Sequence, residues 1–102
     1  MKEIWKPISQ NLYYLGVDEN YEVSNTGKVR NKKTGHILKT TPTNGDKRRM
    51  KVQVKCRGGY YYLSLQLSHV VYDTFVGPAY NGRIRHRDGN PSNNCVENLY
   101  AL

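Results

Sequence analysis

The segment RHRDGNPSNN, Arg85 to Asn94, sets a histidine among arginines, an aspartate and asparagines. Imidazole is the side chain whose ordinary titration range lies nearest neutrality, so His86 is suited to moving a proton as general base or acid. Arg85 and Arg87 flank it, and with Arg83 they make RIRHR, a run of guanidiniums suited to phosphate oxygens. Asp88 stands two positions after His86; on an extended strand the two share a face, which would let the carboxylate approach a cation beside the imidazole. The same Asp88 precedes Gly89-Asn90-Pro91, where an aspartate folds back on its own backbone in an Asx turn. On residue types alone, His86 is either a proton-transfer group or a strand histidine bonded to a phosphate or to the adjacent loop.

A strand, a tight turn and a second element must position these groups. GRIRHRD (82–88) reads as a short strand, Asp88–Asn93 as a turn, and NCVENLYAL (94–102) as a helical turn that ends as a strand. Before them, SHVVYDTFVGP (68–78) shifts to helical period. Ser68 is the expected N-cap, Val71, Tyr72 and Phe75 make the apolar face, and Gly77-Pro78 the stop. The N-terminal half alternates instead. EIWKPI (3–8) is an extended segment with Trp5 expected in the core. YEVSNTGKVRN (21–31) is two short strands about a Ser-Asn-Thr-Gly turn, and GHILKT (35–40) is a further short strand. TTPTNGDKRR (40–49) reads as a loop or hairpin tip. MKVQVKC (50–56) and GGYYYLSLQL (58–67), joined by a glycine pair, give the strongest hairpin signal. The expected fold is a small α+β domain.

The chain has 102 residues, enough for one domain with one core. Formal net charge is +8, and between Lys28 and Arg57 eleven basic residues face a single acid, Asp46. A charge run can be a solvated face; at this density it points to a polyanion, with nucleic acid as the expected partner. Arg30, Lys32, Lys33, Lys47, Arg48, Arg49 and Lys51 are the candidate contacts in that stretch, joined by Arg83, Arg85 and Arg87. Cys56 and Cys95 lack the spacing of a zinc site or disulfide framework and read as reduced thiols. No apolar run approaches the ~20 residues that span a bilayer, so no membrane partner is expected.

Several segments in this order resemble the NUMOD-type module followed by an HNH motif of phage and intron homing endonucleases. They are WKPI, YEVSNTGKVR, the helix opened by His69 and ending in Phe75, and RHRDGNPSNNCVENL. The resemblance runs from Glu3 to Leu99. It implies a small N-terminal antiparallel sheet (1–67, the NUMOD-type basic region) followed by a ββα-metal, HNH-like element (68–102), together one compact unit. It further implies a divalent cation, Mg²⁺ or Mn²⁺, steadying the leaving oxygen of a phosphodiester. By position His86 is the general base, Asn98 the asparagine that ties the loop and orients that base, and Asp88-Gly89-Asn90 the turn.

Two positions depart from the family's pattern. Arg85 stands where the resemblance places an aspartate or another metal ligand, and a guanidinium has no lone pair to offer a cation. A last ligand is expected two to three turns of helix beyond Asn98, and Leu102 follows Asn98 by four residues. Asp88 is left as the candidate metal ligand, and one carboxylate with waters is a poor site for an ion that must hold a phosphate. The expectation is therefore a DNA-binding protein derived from an HNH homing endonuclease with cleavage lost or crippled, needing no cofactor. One alternative is an active nicking endonuclease using Mg²⁺ or Mn²⁺, with His86 and Asn98 catalytic. Another is a phage-encoded protein that binds a host or defence complex through an aromatic surface around Tyr60–Tyr62. Location in the cytoplasm of a phage or prophage host goes with each.

Overall fold

The computed structural model describes residues 2–8, 20–42, 48–56, 58–77 and 84–101; at 41–42, 48–56, 61 and 63 the description is of the backbone. Trp5–Pro7 (β1), Tyr21–Ser24 (β2) and Val29–Asn31 (β3) form an antiparallel sheet in the order β1-β2-β3. The register pairs Lys6 with Val23 and Val23 with Val29 on one face, and Glu22 with Arg30 on the other. Val23 and Val29 are buried and carry the apolar face of this sheet. Trp5 is half-buried rather than a core anchor, because the Arg30 guanidinium lies over its ring; Ile8, three residues on, is fully buried in its place.

Residues 35–40 do not form a strand. A single bridge sets Ile37 opposite Arg30, made by the Leu38 amide on the Val29 carbonyl and the Asn31 amide on the His36 carbonyl, and it does not extend into a ladder. Thr41–Pro42 (β4) pairs with the start of Arg48–Cys56 (β5), so the segment expected as a loop or hairpin tip from 40 to 49 is flanked by paired strands, as a hairpin tip is. Its tip lies outside the described residues. β5 pairs along its length with Gly59–Gln66 (β6), from Arg49 opposite Gln66 to Cys56 opposite Gly59. Gly58 turns this hairpin at φ +89°, a left-handed conformation that a residue with a Cβ adopts poorly.

The chain passes directly from β6 into Leu67–Phe75 (α1). Ser68 is not the N-cap: Gln66 is, its backbone extended, and the buried Ser68 hydroxyl instead accepts a hydrogen bond from Gln66 Nε2 at 3.0 Å. Leu67, Val70 and Val71 are buried, and Tyr72 and Phe75 pack half-buried against the core. The helix ends with the amides of Val76 and Gly77 both donating to the Tyr72 carbonyl. Ile84–His86 (β7) and Leu99–Ala101 (β8) form a last antiparallel pair, with a 3₁₀ turn at Val96–Asn98 leading into β8. The core draws Val23 and Val29 from the first sheet, Ile8 from just after β1, Leu65 from β6, three residues from α1 and Leu99 from β8. Burying each of these aliphatic side chains contributes about 1.5–3 kcal/mol before entropy is counted, so one core secures both the sheet and the histidine-bearing strand.

Candidate nucleic-acid and hydrolytic site

β7 delivers the histidine. Its residues pair Ile84 with Ala101, Arg85 with Tyr100 and His86 with Leu99, and the Arg87 amide adds a bond to the Asn98 carbonyl at 2.7 Å. Strand alternation turns Ile84 and His86 inward, where both are half-buried, and leaves Arg85 and Arg87 exposed on the opposite face. The Arg87 guanidinium lies 5.2 Å from the centre of the Tyr100 ring.

The turn after the strand is held by side chains. Asp88 Oδ1 accepts from the Asn90 amide at 2.8 Å and from Asn98 Nδ2 at 2.9 Å, while Oδ2 accepts from Asn93 Nδ2 at 2.8 Å. Asn98 returns the contact, accepting from the Asp88 amide at 3.1 Å and donating to the Asn93 carbonyl at 2.9 Å. Asp88 thus makes the Asx turn, and Asn98 ties the two ends of the loop. The hydrogen bonds from Asn93, then Asn90, then Asn98 hold the Asp88 carboxyl down at about 2 against an ordinary 3.8.

His86 has a partner that its spacing did not disclose. Asn94, 3% exposed, sits with Oδ1 2.8 Å from His86 Nε2, while its Nδ2 donates to the Pro91 carbonyl at 3.1 Å. A carbonyl can only accept, so the Pro91 contact fixes the Asn94 amide with its oxygen toward the ring. Nε2 must then carry the proton, and in the neutral imidazole the lone pair resides on Nδ1. The Asn93-Asn94 doublet is visible in the sequence, but nothing there tells which asparagine faces the ring.

The basic candidates separate. Arg30 is drawn inward: its Nε and Nη2 donate to Glu22 Oε1 at 3.1 and 3.0 Å, and its guanidinium lies 4.0 Å from the Trp5 ring centre. Lys32 and Lys33 are exposed on the turn after β3, Arg85 on β7 and Arg87 in the turn just past it. Arg48, Arg49 and Lys51 lie on β5, where the register sets Arg49 opposite Gln66 and Lys51 opposite Ser64. Lys47 and Arg83 fall outside the described residues. Tyr60 and Tyr62 on β6 are exposed, with ring centres 5.7 Å apart in an edge-to-face pair.

The NUMOD4 motif model matches residues 3–66. The uncharacterized HNH endonuclease L245 of Acanthamoeba polyphaga mimivirus is 34% identical over 91 residues, covering 79% of this chain and 23% of that protein. A solved structure described as DNA binding and cleavage by the HNH homing endonuclease I-HmuI superposes with a TM-score of 0.71 at 31% identity, over 94% of this chain and 50% of that one. The chain belongs to the NUMOD4 family and, with it, to the HNH/NUMOD-type homing endonucleases. It spans about half the length of the solved relative and about a quarter of the curated one.

HNH nucleases typically use a divalent metal ion. The described residues do not fit one. Both Asp88 oxygens already accept hydrogen bonds from the loop, Arg85 stands beside His86 in the chain, and no three His, Cys, Asp or Glu side chains converge among the described residues. Among those residues, too, no helix is long and apolar enough to cross a membrane.

Proposed function

We propose that this chain is a DNA-binding module of the HNH homing-endonuclease family that grips the sugar-phosphate backbone and is crippled for cleavage by itself. The observation that carries the reading is the Asp88 carboxylate: it is spent on the loop, with Arg85 next to the histidine in place of an acid. Arg85 on β7 and Arg87 just past its end make a cationic surface. On the β5–β6 ribbon the register sets the Arg49, Lys51 and Lys55 positions opposite Gln66, Ser64 and Tyr60, so basic and aromatic positions share one face. A two-stranded ribbon fits the major groove, whose width is about 12 Å, and where a strand is unpaired the exposed tyrosines offer faces for base stacking. Lys32 and Lys33 extend the basic surface. The solved relative, described as DNA binding and cleavage by an HNH homing endonuclease, supplies DNA as the nucleic acid.

A gel-shift salt titration with a plasmid-nicking assay tests this. If about six phosphates are neutralised, affinity falls roughly a thousandfold between 50 and 200 mM salt. Supercoiled plasmid stays intact in Mg²⁺ or Mn²⁺. A second reading, a nicking enzyme, draws support from the hydrogen bond that holds His86 with its lone pair on Nδ1. It predicts metal-dependent nicks that vanish in His86→Ala. Salt-insensitive binding, or no shift at all, would rule out the backbone grip.

A further inference from the structure

The N-terminal module does more here than supply basic surface. Its Ser24–Gly27 turn reaches the loop that holds the histidine. The Asn25 carbonyl accepts from the Val96 amide at 2.8 Å, two residues beyond Asn94. Gly27, at φ +90°, lies so close that a Cβ there would meet the Asn94 carbonyl carbon and oxygen at 2.7 Å. Those are backbone atoms and cannot swing aside as a side-chain tip would. The turn is itself braced. Asn25 Oδ1 accepts from the Ile4 amide at 2.9 Å, and its Nδ2 donates to the Lys2 carbonyl at 3.0 Å. Ser24 Oγ accepts from the Lys28 amide at 3.0 Å and shares a bond with Thr26 Oγ1 at 2.8 Å, while Thr26 also bonds Glu3.

We infer that Asn25 and Gly27 are positioning residues for the HNH histidine: the turn clamps Asn94, and Asn94 holds the His86 ring with Nε2 protonated. The inference rests on reading His86 as the family's histidine, and it gives the SNTG turn a role in the hydrolytic half of the family fold. A glycine is required because the two backbones touch and because the left-handed conformation disfavours any other residue. A ring hydrogen-bonded through Nε2 to an amide that is itself clamped keeps one orientation, which a strand histidine without that partner would not.

The test uses ¹⁵N-labelled full chain and no DNA, at a pH above the imidazole range. Long-range ¹H–¹⁵N correlation should show the His86 proton on Nε2 as a discrete signal protected from water, whereas the exposed His36 shows none. Asn94→Ala should abolish that signal and Asn94→Asp, which keeps an acceptor, should retain it. Gly27→Ala should speed exchange of the Nε2 proton by about threefold to tenfold, the scale set by one lost hydrogen bond. Protection of the β5–β6 amides in the same sample reports whether that variant folds. Where it does not, the parent decides: in rising urea the His86 proton should lose protection no later than the Val96 amide. The assignment is overturned by a proton found on Nδ1, by parent-like exchange in folded Gly27→Ala, or by a His86 proton still protected once the Val96 amide exchanges freely. A chain that fails to bind DNA yet shows this pattern refutes the binding reading and leaves the clamp standing.

Discussion

Arg30 is the basic residue whose replacement most sharply separates structure from DNA contact. Glu22 is 8% exposed and directly opposite Arg30 across the β2–β3 pair. Its carboxylate takes two guanidinium hydrogen bonds, each to Oε1, and the same guanidinium covers Trp5 at 4.0 Å. Arg30→Ala removes charge-assisted bonds of about 1.5–3 kcal/mol and a cation–π contact of about 0.5–2 kcal/mol, and leaves a carboxylate out of water without its cation. The Arg30 side chain is 34% exposed, so water recovers part of this, and a net loss of about 3 kcal/mol is expected. Against a total of about 5–15 kcal/mol for a domain, that is a large fraction, read as a lower urea midpoint at unchanged slope. Glu22→Gln on top of Arg30→Ala should recover part of the loss, since the stranded charge is gone. In gel shifts below the unfolding range, Arg30→Ala should leave the salt slope intact, whereas Arg85→Ala should lower it by about one. A stability loss under about 1 kcal/mol together with a slope change matching that of Arg85→Ala would refute the structural assignment.

Asn98→Ala should cost about 1–2 kcal/mol by urea unfolding, because a half-buried side chain with three loop hydrogen bonds is removed. The Asp88 carboxyl is depressed in the folded state from 3.8 to about 2. Its contribution is therefore complete above the unfolded value and is lost as pH falls through about 2, so acid titration of stability should be shallower between those values in Asp88→Asn than in the parent. Replacing Tyr60 and Tyr62 together by Ala should weaken single-stranded DNA binding by about 1–3 kcal/mol per stacked base. Both rings are exposed, so the unfolding midpoint should hold.

Much of this chain was legible in its residue order. The alternation of Met50–Cys56 and Tyr60–Leu67 about a glycine pair specifies the hairpin, and Asp88-Gly89-Asn90 specifies the Asx turn, because short-range hydrogen bonding and strand period are local properties; Asn98 as the tie across the loop was legible only through the family resemblance. Tertiary contact decided the rest. Trp5 left the core because Arg30 stacked on it, and Arg30 turned inward because Glu22, eight residues earlier, came opposite it in the sheet. Ser68 gave up the cap because α1 follows β6 without a break. Gly27 met Asn94, and Val96 met Asn25, only because one core brings the first sheet and the last strand pair together. Such contacts depend on where distant backbones settle, and no local period or propensity carries that information.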